Sequence, residues 1–221
     1  MVEEIVTLNN TPPSRLINFD ETSVKLQNTH KKTLSPKGVK EVYVIDPNGP
    51  KENFTVGLAI AADGYKFPAV VTFKGNKKTR KLSQSIPEKL DIPQNVVVFS
   101  TTSGWWQSCL DIQWIESTFD EKEQGSYLSR DHAPAHLSYE NRALLESKGM
   151  EQIFIPKGLT GKYQPLDVGV NYPLKCHLEQ SYHQWRDNCT EVTKKGYLKK
   201  PYVRNPFILY LKPGIGSKLP L

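Results

Sequence analysis

Runs in which apolar and polar residues alternate occupy the first part of the chain, and stretches with apolar residues three or four apart follow them. The alternation in residues 15–20 (RLINFD) predicts a strand that ends on Asp20. A polar, lysine-rich linker over 27–40 leads to a second short strand, 41–46 (EVYVID), closed by the turn residues Pro47, Asn48, Gly49 and Pro50. Residues 54–75 read as two strands joined at Asp63-Gly64, a dipeptide that accepts the positive φ of a tight hairpin turn. Residues 95–100 (NVVVFS) have the composition of a buried strand. They pass through Gly104, Trp105 and Trp106 into a helix whose Leu110, Ile112, Trp114, Ile115 and Phe119 favour one side.

The pattern then changes to strand, helix, strand, helix. Residues 126–131 (SYLSRD) predict a weak strand, 139–148 a helix stopped by Gly149, and 152–155 (QIFI) a further strand. From Asp167 onward, Val170, Leu174, Leu178, Tyr182 and Trp185 form one apolar stripe along a helix that ends near Asp187. Paired strands followed by alternating helices and strands predict an α/β fold, a mixed sheet with flanking helices. Residues 1–189 make one domain. Residues 190–221 carry Pro201, Pro206, Pro213 and Pro220 without a period and are expected to be a loosely ordered tail.

Composition supports a packed interior: 38% of residues are hydrophobic and 24% charged, the profile of a globular chain. No apolar run reaches the roughly 18 residues of a membrane span, and Glu3 and Glu4 stand where a signal peptide is basic and then apolar. A soluble, intracellular protein is expected. The three cysteines, Cys109, Cys176 and Cys189, form no C-x-x-C pair, which argues against a disulfide framework or a cysteine zinc site. The net charge of +6 suggests a polyanionic partner, but its placement qualifies that reading. Residues 190–221 hold seven lysines and arginines against Glu191, so residues 1–189 keep 22 basic and 22 acidic side chains and sum to zero.

Asp20, Asp131 and Asp167 each fall at the end of an expected strand or the start of the helix after it, and neighbouring strand ends converge. The 35 residues between Asp131 and Asp167 suit a strand, crossover helix, strand and turn. Clustered carboxylates repel one another and are normally neutralised by cations, and hard oxygen donors select Mg²⁺ or Mn²⁺. Two such ions serve phosphoryl transfer. The competing reading of the three acids is that they are helix caps and turn residues.

The segments around these acids resemble the DDE-superfamily endonuclease domain of pogo-like transposases, within the mariner group. They are INFDET at 17–22, KGVKEV at 37–42, VGLAIAADGYKFPAVVTFKG at 56–75, GWW at 104–106, RDHAPAHLS at 130–138 and IPKGLTGKYQPLDVGVNYPLK at 155–175, in the family's order. The resemblance implies an RNase H-like fold, two-metal catalysis by Asp20, Asp131 and Asp167, and a strand nick followed by strand transfer. It makes DNA the partner, the nucleus the compartment and a homo-oligomer an expectation. Glu21 matches the family's companion acid; strand alternation turns it away from Asp20, and a surface acid is expected. Arg130 departs from the family's usual apolar strand and is expected to weaken that strand or to bring positive charge near the metals. The helix-turn-helix region that precedes this domain in such transposases is not expected within the 16 residues before Ile17.

His132 and His136 have the spacing of a helical zinc pair, but Pro134 between them and the lack of an H-E-x-x-H glutamate favour a structural or substrate-side role for His136. Trp105 could stack on unpaired bases and Lys157 and Lys162 could contact phosphate, although core packing for the tryptophans and a plain loop for the lysines compete. Three functions remain open: a metal-dependent endonuclease and strand-transfer domain, a domesticated or degenerate transposon-derived domain that binds DNA or protein without catalysis, or a metal phosphohydrolase unrelated to transposition that prefers small phosphate esters to DNA.

Overall fold

The computed structural model describes residues 10–25, 36–39, 53–76, 78, 92–192 and 194; the strand expected at 41–46 and the tail beyond Lys194 lie outside them. Strand β1 (Leu16–Lys25) runs five residues past Asp20, because Thr22 and Val24 continue the alternation with β-branched side chains that favour extended backbone. The expected strand end at Asp20 is therefore corrected. The acid sits in mid-strand, opposite Leu58 of the neighbouring strand.

Strands β2 (Asn53–Ala61) and β3 (Ala69–Lys74) form the expected hairpin. At its turn the Gly64 N–H donates to Ala61 O at 2.9 Å with Gly64 at φ 92°, and Asp63 Oδ1 accepts from the Tyr65 N–H at 2.9 Å. The register slips by one residue between the Ile60–Lys66 bridge and the Gly57–Val70 pair. Pro68, which has no N–H for the ladder, lies in the slip.

With β4 (Val96–Thr101), β5 (Tyr127–Arg130) and β6 (Glu151–Phe154), the described residues build a six-stranded mixed sheet in the order β4-β3-β2-β1-β5-β6. β1 pairs antiparallel with β2 and parallel with β5, and β5 is parallel to β6. The polar SYLSRD segment thus forms a strand despite Arg130, because β5 is hydrogen-bonded on both sides.

Helices α1 (Ser108–Thr118) and α2 (Tyr139–Ser147) cover one face, where Trp114, Ile115 and Leu145 bury themselves on Ile17, Phe19, Ala59 and Leu128. The other face receives the long helix α4 (Asn171–Asp187), whose Leu174 and Leu178 pack on Val24, Phe54, Val56 and Val71. Ahead of it stand a one-turn helix α3 (Thr160–Tyr163) and a π turn (Leu166–Val170). Of the expected stripe, Val170, Leu174, Leu178 and Tyr182 are buried and Trp185 is half-buried. Each large apolar side chain so buried contributes about 1.5–3 kcal/mol.

Candidate metal centre

The pleat of β1 sends Asn18, Asp20 and Thr22 toward the α4 face and Phe19 and Glu21 toward α1. Asn18 ties β1 to its neighbours on that face. Its Nδ2 donates to Ser129 O and to Gln164 Oε1, both at 3.0 Å, while its Oδ1 accepts from the Leu166 N–H at 3.3 Å. Gln164, fully buried, donates through Nε2 to Phe19 O at 3.0 Å. These bonds pin the start of the π turn to β1 and bring Asp167 alongside Asp20. Asn171, one turn beyond Asp167, then joins the two acids: its Nδ2 group donates to Asp20 Oδ2 at 2.7 Å and to Asp167 Oδ1 at 3.0 Å.

Asp131 follows β5 directly, next to β1 in the sheet; its Oδ1 accepts from the Ala133 N–H at 3.0 Å. The three acids share one electrostatic field. Burial, then the charge of Asp167, push the Asp20 carboxyl up to about 7; hydrogen bonds from Asn171 and Gln164 oppose the rise, and Asp131 adds to it. The structure therefore brings together Asp20, Asp131 and Asp167, which the sequence singled out, and adds Asn171 and Gln164, which it did not. Asp20 is buried, Asp131 half-buried and Asp167 exposed, so the group opens to solvent on the Asp167 side.

Two expectations on the opposite face are corrected. Glu21 does point away from Asp20, but that face is covered by α1 and the 3₁₀ turn Pro134–Leu137, so it is an interior acid rather than a surface one. Its side chain is 13% exposed and lies 3.2 Å from His136 Nε2. Burial, then Asp111, Asp131 and Asp20, hold its carboxyl well above the usual range. Arg130 also turns inward instead of toward the three aspartates. Its Nη1 donates to both Asp111 oxygens at 2.9 and 2.8 Å and its Nη2 to Gln152 Oε1 at 2.6 Å. Asp111 further accepts from Trp106 Nε1 at 2.9 Å and from Asn141 Nδ2 at 2.6 Å.

Lys157 and Lys162 are exposed on the segment before Gln164, with Lys162 Nζ 5.8 Å over the Tyr163 ring. Trp105 is 59% exposed, but it follows β4, which β3 and β2 separate from β1. Trp106 instead packs on Phe19, ring centroids 5.0 Å apart. His132 and His136 turn to different partners: His132 Nδ1 meets Ile155 O at 2.9 Å, and His136 faces Glu21.

The donors around Asp20 suit a hard divalent cation. They are carboxylate oxygens in excess of local positive charge, beside Asn171 Oδ1, which is buried without a hydrogen bond among the described residues.

The human protein named "Pogo transposable element with KRAB domain" is 28% identical to this chain over 173 residues, covering 76% of the chain and 27% of the relative. A second human relative, "Pogo transposable element with ZNF domain", is 24% identical over 189 residues, covering 82% and 12%. The chain thus spans about a quarter or less of these relatives. In fold it is similar to the Mos1 strand transfer complex (TM-score 0.52, 14% identity, 84% of this chain and 50% of the other). It is also similar to the Mos1 mariner paired-end complex with Mn (TM-score 0.50, 13% identity, 84% and 51%). The mixed sheet with flanking helices is accordingly an RNase H-like fold, shared with these Mos1 structures. Residues 51–211, which include Asp131 and Asp167, match the DDE superfamily endonuclease family, and with Asp20 set beside those two acids on β1, the chain belongs to that family.

Proposed function

We propose that the chain is the catalytic domain of a pogo-type transposase, a metal-dependent DNA endonuclease and strand transferase acting on nuclear DNA, with residues 1–189 as the catalytic unit. Asp20, Asp131 and Asp167 are its metal ligands and take two Mg²⁺ or Mn²⁺ ions. The observation that carries this reading is the Asn171 bridge, which holds Asp20 and Asp167 within hydrogen-bond reach of one nitrogen while burial, Asp167 and Asp131 raise the cost of ionising Asp20. Such a preloaded charge excess costs stability unless a cation balances it.

When bound, divalent ions supply charge neutralisation and Lewis acidity at a phosphodiester. The chain's own groups do the rest. Asn171 sets the spacing of Asp20 and Asp167, and Gln164 and Asn18 keep the turn carrying Asp167 against β1. Lys157 and Lys162 stand exposed on the segment leading to that turn, placed to neutralise a phosphate backbone.

Nicking of supercoiled DNA tests the proposal. Wild-type protein should nick with Mn²⁺ or Mg²⁺ and not in chelator, and Asp131→Asn, folded by near-UV circular dichroism, should lose the activity. Equal nicking by wild type and Asp131→Asn overturns it. Absence of Mn²⁺ binding at millimolar concentration by calorimetry would point instead to a transposon-derived domain that binds DNA or protein without catalysis.

A further inference from the structure

Behind the three aspartates lies a second group of potential ligands, on the α1 face of the sheet. Glu21, Asp131 and His136 each offer one ligand atom, and all three atoms lie within 4.8 Å of one another. His136 is fully buried, and its Nε2 sits 3.2 Å from Glu21 Oε1, 3.3 Å from Glu21 Oε2 and 3.5 Å from Asp131 Oδ1. The nitrogen faces both oxygens of one carboxylate and one of another, so its single N–H has no one oxygen to aim at. All three separations exceed the roughly 2.7–2.9 Å of a charge-assisted N–H···O bond. The distances to Glu21 Oε2 and Asp131 Oδ1 fall within the ligand-to-ligand edge of a tetrahedron about a cation with bonds of about 2.0–2.2 Å, which is roughly 3.3–3.6 Å.

The imidazole's other side leads to the same place. His136 Nδ1 is buried without a hydrogen bond among the described residues and faces Asp111 Oδ1 at 3.8 Å. A neutral ring has one N–H and one lone pair, so with carboxylates on both sides the lone pair meets negative charge at one of them. A cation on Nε2, with the proton on Nδ1 toward Asp111, removes that conflict and is the carboxylate–histidine–metal arrangement in which the outer acid fixes the tautomer. Charge agrees: Arg130 offsets Asp111, leaving Glu21 and Asp131 as two carboxyl groups at the pocket whose negative charge a cation would balance, and Glu21 Oε1 has no hydrogen bond among the described residues.

We propose that Glu21, Asp131 and His136 form a distinct inner site for one borderline divalent cation of the Zn²⁺ class, with a water completing the tetrahedron. Two carboxylates and one imidazole favour such an ion over Mg²⁺. Asp131, with 34% of its side chain exposed, is the open side of the site and its only member shared with the three aspartates. The assignment does not depend on the nuclease reading, since it needs neither Asp20 nor Asp167.

Competition of the full chain, stripped with chelator, against a chromophoric Zn²⁺ indicator tests the site, with Co²⁺ spectra as a second readout. Wild type and the Asp20→Asn/Asp167→Asn double variant should each hold one tight Zn²⁺ per chain. His136→Gln and Glu21→Gln should weaken it by at least about 10-fold. His136→Cys keeps a ligand, and its Co²⁺ complex should show a thiolate-to-metal charge-transfer band, which also covers the case in which His136→Gln fails to fold. Absence of tight Zn²⁺ binding, unchanged affinity in folded His136→Gln, loss of Zn²⁺ in the Asp20→Asn/Asp167→Asn variant, or no charge-transfer band in His136→Cys each overturns the site. Loss of nicking in Asp20→Asn or Asp167→Asn bears on the nuclease alone.

Discussion

Asp20 and His136 give the metal-free protein opposite pH limbs. The Asp20 carboxyl is held at about 7 in the folded chain and ionises near 3.8 when unfolded. Between those values the folded state keeps a proton the unfolded state has lost, so this contribution is complete below about pH 4 and disappears as pH rises through 7. Glu21, also raised, acts with the same sign. His136 is pushed down to about 2 by burial and then by Arg130, so the unfolded chain takes up a proton there below about 6.5 and stability falls on that side. Thermal melts in chelator should therefore decline from pH 6.5 to 7.5, and Asp20→Asn, neutral throughout, should flatten that decline while leaving the acid limb. A wild-type melting temperature that rises over that interval would contradict the burial of charge at Asp20. Asn171→Leu removes two hydrogen bonds to carboxylates and should lower metal-free stability by about 1–3 kcal/mol in urea melts, with weaker Mn²⁺ binding. The three aspartates were legible in the sequence because their flanking motifs are local. Asn171 and Gln164 were not, nor was Glu21 as the partner of His136, because each contact reaches β1 across more than 100 residues, and no period in the sequence encodes which partner a polar side chain meets.

Elements were more readable than their partners. The hairpin at Asp63-Gly64, the strand at 95–100, observed as Val96–Thr101, and the stripe of α4 formed where turn residues, apolar composition and helical spacing placed them. β1 outran its expected end because the acid at Asp20 looked like a boundary, whereas it is a polar residue at a position another strand and α4 cover. β5 looked weak because Arg130 reads as exposed, and its buried partner Asp111 lies on α1. That ion pair predicts an asymmetry. Arg130→Met, which strands Asp111, should cost about 3–5 kcal/mol in denaturant melts, whereas Arg130→Met with Asp111→Leu should recover much of the loss. Close approach between β2 and the aromatic cluster yields another test. A Cβ at Gly57 would lie 2.8 Å from Trp106 and 3.2 Å from Phe19, ring atoms already packed together. Gly57→Ala should destabilise by about 1–3 kcal/mol through overpacking, and a neutral effect would mean that the Trp106 ring moves aside freely.

At the scale of the whole molecule, charge is distributed unevenly along the chain. Residues 1–194 carry the proposed metal ligands and balanced charge, while residues 195–221 hold six lysines and arginines and no acid, a number equal to the net charge of the entire chain. The clustered acids repel the phosphate backbone they are proposed to cut, so affinity for DNA must come from positive charge elsewhere or from bound cations. Each phosphate neutralised by a lysine or arginine adds about 0.9 to the slope of log affinity against log salt. Converting Lys195, Lys199, Lys200, Arg204, Lys212 and Lys218 to glutamine in the full chain, assayed in chelator, should therefore lower DNA affinity at low salt and cut the slope by up to about 5. The melting temperature should stay unchanged if, as expected, residues 190–221 stand apart from the catalytic unit. Lys157→Gln with Lys162→Gln, on the segment before Asp167, should remove no more than about 2 from the slope. If the six-residue variant binds DNA with wild-type affinity and slope, the tail takes no part and the contact lies on the folded domain, where these two lysines become the first candidates.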